Sequence, residues 1–444
     1  MAKANSLLDS AVARSKAIAE IAVGNGILAD VPAMARRHFG DGAYVIVADE
    51  NTFAAAGREV AERLSADGLS VETHLLPAVP RPKPSVELGE SIAAVLGDAI
   101  PVAVGSGVIN DVTKYAAFTK DRPYLCVATA ASMDGYSSAG APLSDKGFKK
   151  TIPCRAPLAI LADLDVITKA PAEMSGWGYG DLAGKVPAGG DWLIADALGI
   201  EPVDKVAWPL VQNNLPGWLS APGAVRAGEA KAISDLFVGL TLSGLAMEFH
   251  GTSRPASGAD HQIAHMWEME GLTFHGERVS HGACVSVGTL ATLKLYDWLI
   301  EKDLTALPID EIVASAAPIE TKEAEIASLM DEALAQRAVV ETRAKHADPD
   351  THRARLERLT AVWPDLAARL TEHVKRADAM ETLLIEAGAP TGPQDIGINH
   401  EHLRATVRAA RFIRSRYTIL DLIEECGLFE MAIAEALATP SRAA

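Results

Sequence analysis

Apolar positions recur at helical spacing near the N-terminus, through Val12, Ile18, Ile21 and Ala22, and this predicts a helical region over residues 1–40. Tyr44 to Ala48 is then a short unbroken apolar run closed by Asp49, the pattern of a strand buried on both faces of a parallel sheet. Similar runs return at 71–76, 100–104, 124–128 and 157–162, with helix-period stretches at 52–64, 86–96 and 111–118 between them. Pro77, Pro80, Pro82 and Pro84 punctuate the loop after the second run. Strand and helix alternating at this interval predict a doubly wound α/β domain. After Asp165 the pattern changes to long helix-period stretches, including charged amphipathic segments at 320–346 and 351–387 broken at Pro349. The chain therefore divides into an α/β domain over 1–168 and an all-α domain over 169–444, with no internal repeat.

Composition narrows the function classes. Among 444 residues, 49% are hydrophobic, which supports two packed cores and excludes a disordered chain. A formal net charge of −17 argues against nucleic acid or an anionic membrane as partner. It leaves an anionic small molecule open, because a few local cations outweigh distant charge. The N-terminal residues mix polar and apolar types too finely for a signal peptide, and no apolar run approaches 18 residues, so no membrane span is expected. Cys126, Cys154, Cys284 and Cys426 are scattered without a CxxC pair, which favours a reducing cytoplasm, with Cys284 read as packing.

Candidate chemistry follows the strand ends. Gly105-Ser106-Gly107-Val108-Ile109-Asn110-Asp111 joins a strand to a helix, where glycines admit a pyrophosphate close to backbone N–H groups; a tight turn is the competing reading. Asp49 closes the first strand and suits a ribose hydroxyl, favouring NAD, unless it caps the next helix. Thr129 to Ser138 is rich in small hydroxyl residues, and Asp134 within it is placed to orient a substrate hydroxyl or move a proton. Gly105, Ser106, Gly107, Asn110, Asp111, Lys114, Thr129 and Ser132, with Asp49, form the cofactor-binding set. Asp181 lies in a Gly-rich stretch, and His261 and His275 flank a compact unit downstream. One carboxylate and two imidazoles hold a catalytic divalent ion with a position left open. Asp260, His261 and His265 share a helix, with His261 and His265 on one face. Either both ligate, or one ligates while His265 serves the proton path. His250 and His281 are read as bystanders. Arg254 is the candidate for a substrate phosphate, ahead of Lys149 and Lys150, which fit a solvated loop.

Gly105-Ser106-Gly107-x-x-Asn110-Asp111-x-x-Lys114-Tyr115, Ser132-Met133-Asp134-Gly135, Gly180-Asp181, Thr252-Ser253-Arg254-Pro255-x-Ser257-Gly258-x-x-His261 and His275-Gly276-Glu277 together resemble the sn-glycerol-1-phosphate dehydrogenases. These lie within the superfamily of iron-containing alcohol dehydrogenases, glycerol dehydrogenases and dehydroquinate synthases. Ala387 to Thr391 and Arg414 to Asp421 look like the bacterial branch. The resemblance implies a Rossmann-like N-terminal domain and a helical, dehydroquinate synthase-like C-terminal domain. It implies NAD(P) and one divalent ion (Zn, Ni or Fe) on Asp181, His261 and His275, with Asp134 near the substrate. It also assigns Gly105, Gly107, Asn110, Asp111 and Thr129 to the cofactor. The implied reaction interconverts sn-glycerol 1-phosphate and dihydroxyacetone phosphate. A dehydrogenase of an unphosphorylated polyol and a dehydroquinate-synthase-like lyase are the alternatives. Expected partners are a small phosphorylated polyol or ketone and further copies of the chain. Two departures stand out: Arg278-Val279-Ser280-His281 follows His275-Gly276-Glu277 where that pattern has small residues, and Asp260 stands where it commonly has Glu.

Overall fold

Tyr44, Ile46 and Ala48 bury one face of the second strand while Val45 and Val47 bury the other. A strand with no polar face needs cover on both sides, and this dictates the layered architecture. In the computed structural model, residues 2–145 and 148–438 are described; the side chains of Lys149 and Lys150 lie outside that set. The strands are β1 (Glu20–Gly24), β2 (Ala43–Asp49), β3 (Ser70–Leu76), β4 (Ile100–Gly105), β5 (Leu125–Ala128), β6 (Gly140–Asp145), β7 (Phe148–Pro153), β8 (Ala159–Asp163), β9 (Thr273–Phe274) and β10 (Glu277–Arg278). Six of them form a parallel sheet in the order β1-β8-β5-β4-β2-β3. From β2 the chain crosses outward to β3, then returns to place β4 on the other side of β2. The direction of winding therefore reverses between β2 and β4, and the crevice at their C-terminal ends is where such sheets bind ligands.

The N-terminal reading needs correction. Residues 1–40 hold a helix at Ala2–Val12 and another at Val31–Phe39, but Glu20–Gly24 is the sheet's edge strand, registered Ile21 to Ile160 and Val23 to Ala162. Five residues at an edge carry too few apolar positions to distinguish a period of 2 from one of 3.6. The β6–β7 hairpin, antiparallel and inserted between β5 and β8, was also not expected.

The helices that position the site are α1 (Gly107–Thr119), α2 (Ala172–Ala183), α3 (Lys185–Ala197), α4 (Ala230–His250), α5 (Ala259–Met269), α6 (His281–Ile300) and α7 (Pro349–His373). Packing divides the chain into two compact units that are not contiguous in sequence. The first comprises Met1–Leu182, Pro209–Thr252 and Glu386–Ala389; the second comprises Ala183–Trp208, Ser253–Ile385 and Pro390–Ala444. The sequence division at 168 follows the change in element type, whereas the packing division follows which core each helix joins. Helix α4 lies beyond the expected boundary yet belongs to the unit that carries the sheet. Helices α4 and α6 are long and apolar enough to cross a membrane, contrary to the expectation from uninterrupted runs, but their apolar windows are 78% and 83% buried within the protein. They are core helices.

Candidate active site

At the β4 end, the sheet unit offers an anion seat. The first bond of the α1 ladder runs from the Asn110 N–H to the Ser106 carbonyl at 3.0 Å. The amides of Gly107, Val108 and Ile109 precede that ladder at the helix end. Ser106 is extended and makes no side-chain cap. A Cβ on Gly105 would lie 2.5 Å from Ile109 Cβ, so glycine lets α1 close onto the strand end. Both the phosphate-cradle and the tight-turn readings of this loop thus have a physical basis here. At the β2 end, Asp49 Oδ1 accepts the Thr52 N–H at 2.8 Å while Thr52 Oγ1 accepts the Asp49 N–H at 3.0 Å. Asp49 therefore caps a helix with one oxygen.

Asn110, Asp111, Lys114, Thr129 and Ser132 of the cofactor set are buried. Lys114 is fully buried, with Nζ donating to the Gly135 and Gly140 carbonyls, both at 2.9 Å, and lying 3.4 Å from Asp111 Oδ1. An ammonium has three protons, and all three have protein partners. Asn110 donates to the Gly135 carbonyl at 3.2 Å and accepts from the Tyr124 hydroxyl at 3.0 Å. Lys114 and Asn110 thus tie α1 to the loop after β5 and shape the crevice from behind. Thr129 continues β5, its N–H on the Gly105 carbonyl at 3.1 Å, and Ser132 lies buried in the loop that follows.

That loop is clamped from two sides. A Cβ on Gly178 of α2 would sit 1.9 Å from the Ala131 carbonyl oxygen, and one on Gly244 of α4 would sit 2.1 Å from Ser137 Oγ. Only glycine admits approach this close. Nearly one turn beyond Gly178, the fully buried Asp181 accepts the Asp134 N–H on Oδ2 at 2.9 Å. Ser137 donates to the Thr241 carbonyl at 2.7 Å. The backbone of Asp134 is thus held on the buried Asp181 carboxylate.

In the second unit, three imidazoles come together. Ring centroids lie 6.0 Å apart for His261 and His265, 5.4 Å for His261 and His281, and 5.8 Å for His265 and His281, the last pair stacked. His261 Nδ1 is 2.6 Å from Oδ2 of the fully buried Asp260, whose Oδ1 accepts the Gly258 N–H at 3.1 Å. His281 Nδ1 is 2.9 Å from Glu268 Oε1. Each inner nitrogen thus faces a carboxylate, which fixes the tautomer and leaves Nε2 as a lone-pair donor. Ligand atoms of His261 and His281 lie within 4.8 Å of one another. This donor set fits a divalent transition metal.

Glycine also sets this cluster. A Cβ on Gly288 of α6 would meet the Asp260 carbonyl at 2.5 Å, so α6 lies directly against α5. Asp191 of α3 anchors the start of α5, accepting the Ala259 N–H at 2.7 Å, the Tyr296 hydroxyl at 2.6 Å and the Ile419 N–H at 2.8 Å. Burial pushes its carboxyl up to about 6, against these hydrogen bonds and the nearby Arg254, which pull it down.

Two expected site residues are placed elsewhere. His275 is exposed at the turn between β9 and β10, where it and Gly276 both have positive φ (52° and 82°). Two successive left-handed residues make the hairpin turn that a His-Gly pair suits. The imidazole beside His261 belongs instead to His281, the first residue of α6, which the sequence reading set aside. The signal was the departure itself: His281-Gly282 repeats the His-Gly pair and opens a helix behind a Ser280 cap. Arg254 is the second case. It donates to the Tyr417 carbonyl at 2.8 Å and the Asp191 carbonyl at 2.9 Å, and its Nε lies 3.2 Å from Glu201. With no exposed side-chain surface, it holds the second unit together and cannot meet a substrate phosphate without leaving these partners.

Comparison with known proteins bears on the family of the chain. The family described as iron-containing alcohol dehydrogenase matches residues 22–171. The NAD(P)+ glycerol-1-phosphate dehydrogenase of Geobacillus thermodenitrificans is 29% identical over 395 residues, 87% of each chain. That of Bacillus licheniformis is 30% identical over 416 residues, 93% of this chain and 90% of its own. Among solved structures, a probable glycerol dehydrogenase from Sinorhizobium meliloti 1021 aligns with a TM-score of 0.60 at 17% identity, covering 95% of this chain and 98% of that one. At that identity the likeness is one of fold.

Proposed function

The chain belongs to the glycerol-1-phosphate dehydrogenase family, and we propose that it interconverts sn-glycerol 1-phosphate and dihydroxyacetone phosphate with NAD(P) as hydride carrier. In the oxidative direction, sn-glycerol 1-phosphate and NAD(P)+ give dihydroxyacetone phosphate, NAD(P)H and a proton. The observation that carries this reading is the pair His261 and His281, each braced by a carboxylate, in a chain with these relatives. His261 and His281 would hold a divalent ion, zinc, nickel or iron, with Asp181 as the carboxylate ligand that the motif likeness assigns. When bound, the nicotinamide supplies the hydride acceptor and the cation supplies Lewis acidity toward the carbinol oxygen.

The chain's own residues do the rest. Gly105, Ser106 and Gly107 open the helix end to the pyrophosphate, with the amides before the α1 ladder as donors. Asp49, with one oxygen in its cap, has the other to accept a ribose hydroxyl, and its charge would repel a 2′-phosphate. We therefore favour NAD over NADP. Asp134, fixed through Asp181, orients the substrate, and His265 carries the proton released from the hydroxyl. All four cysteines are buried and none forms a disulfide, which suits a reducing cytoplasm.

The test is reduction of dihydroxyacetone phosphate by NADH and NADPH, on protein stripped of metal and refilled with zinc, nickel or iron. Metal-dependent NADH oxidation at least about tenfold faster with dihydroxyacetone phosphate than with dihydroxyacetone is expected, a difference of ~1.4 kcal/mol. Equal rates with the two ketones would point to an unphosphorylated polyol. Turnover without net change in NADH would point to a lyase.

A further inference from the structure

Helix α5 carries more than its two histidines. Positions 261, 265 and 268 are spaced i, i+4 and i+7, so His261, His265 and Glu268 share one face. Glu268 is nearly buried, its side chain 8% exposed, and its oxygens point two ways. Oε1 lies 2.9 Å from His281 Nδ1, on the first turn of α6, and Oε2 lies 3.9 Å from His265 Nε2 on its own helix. The rings of His265 and His281 stack at 5.8 Å with 26° between their planes. One carboxylate therefore reaches the two facing imidazoles from their common side.

We propose that Glu268 is a positioning residue that fixes His281 and His265 together, and through His281 sets the affinity of the chain for its divalent ion. This rests on the cation reading above. With a carboxylate at Nδ1, the His281 proton stays on that nitrogen and Nε2 keeps its lone pair. Asp260 does the same for His261 through Nδ1 at 2.6 Å. The two braces differ in what they link. Asp260 is the neighbour of the histidine it holds and adds no tie between elements. Glu268 crosses from α5 to α6, so the spacing of His281 from His261 depends on it. Its second oxygen lies 3.9 Å from Nε2 of His265, the proposed proton carrier, an ionic contact when that imidazole is protonated. Any displacement of α6 that disturbs His281 then reaches His265 as well.

The test uses the full chain, with cobalt(II) as the probe, titrated against a competing chelator. Loss of an outer partner of a ligating histidine weakens metal binding by roughly 10- to 100-fold, and that loss is expected for Glu268→Ala at a stoichiometry of one ion per chain. Glu268→Asp restores part of it. Glu268→Gln, nearly the same shape, places an N–H donor beside one imidazole, and a loss of at least about threefold is expected. It carries the test if the alanine variant does not fold. The cobalt absorption spectrum should change in Glu268→Ala, because the His281 ring is no longer held. Affinity and spectrum equal to the parent chain in both variants would overturn the proposal. So would two ions per parent chain and one in Glu268→Ala, which would make Glu268 a ligand alongside His265 and His281. If the parent chain binds no divalent ion, the cation reading itself falls, and that result is distinct from a variant that matches a binding parent.

Discussion

At position 275 the backbone is left-handed, φ 52°, and the next residue is Gly276 at 82°. A side chain there is set by what the turn demands, and its ring packs on Phe274 with centroids 3.9 Å apart. At 281 the backbone begins a helix, and the imidazole is braced by Glu268. The two histidines should respond oppositely to truncation. His281→Ala removes a proposed ligand, so its metal affinity should fall by more than the ~10–100-fold of an outer-sphere loss. His275→Ala should bind metal within about twofold of the parent chain, because its turn lies outside the His261, His265 and His281 cluster. His275→Gly should fold at least as well, since glycine adopts positive φ without penalty. Metal content after gel filtration, followed by chelator competition, checks all three. Full metal retention by His281→Ala with loss in His275→Ala would return the ligand role to position 275. In the sequence, both histidines precede a glycine. Nothing local separates a His-Gly that turns a hairpin from a His-Gly that opens a helix, except Ser280 as a cap and the strand pairing of Phe274 with Glu277.

Elements were legible where burial is two-sided. β2, β4, β5 and β8 read as apolar runs because helices cover both faces, and β3 read despite lying at an edge. β1 was lost because an edge strand of five residues shows little pattern of its own. The glycine clamps were only half legible. Gly178-Tyr179-Gly180-Asp181 reads as Gly-rich, but which of its glycines touches another backbone emerges only from packing. Gly178→Ala should therefore be severe, because a Cβ 1.9 Å from the Ala131 oxygen and 2.8 Å from its carbon meets rigid backbone. The helix must move, and the bond from the Asp134 N–H to Asp181 moves with it. A loss of about 2 kcal/mol or more is expected, at the upper part of the range for overpacking. Gly223→Ala is the matched control, a helical glycine with nothing within 4 Å of its Cβ. It should be neutral or gain about 0.5–1 kcal/mol from helix propensity. Urea unfolding of both variants reads the contrast, and equal midpoints would show that α2 does not press on the loop as described.

Over the whole chain, the change from alternating strands and helices to helices alone was legible, and the allegiance of those helices was not. Period and composition report whether a segment is helix or strand, but α4 joins the sheet unit through contacts distant in sequence. The same distance hides buried titratable groups. His373 ends α7 within the segment 351–387 that reads as charged and amphipathic, yet it packs on Trp208 with centroids 5.2 Å apart. Burial holds its imidazole down at about 4, with Arg369 adding to the effect and a backbone bond to Val186 opposing it. A folded-state value below the ordinary 6.5 means the fold favours the neutral ring. The resulting stability is complete above pH 6.5 and is lost as pH falls from there through about 4, by at most ~3 kcal/mol. Acid also removes the net charge of −17 down to a pI of about 5.2 and builds positive charge below it, so the self-repulsion of the chain changes over the same interval. Only a difference between variants separates the two effects. His373→Phe keeps an aromatic ring against Trp208 and has no proton to gain. The gap in unfolding free energy between the parent chain and His373→Phe should therefore shift by about 2 kcal/mol between pH 7 and pH 4, in favour of the variant at acid pH. Urea unfolding at fixed ionic strength across that interval measures it, and a gap that stays constant would show that His373 takes up its proton as freely in the folded chain as in the unfolded one.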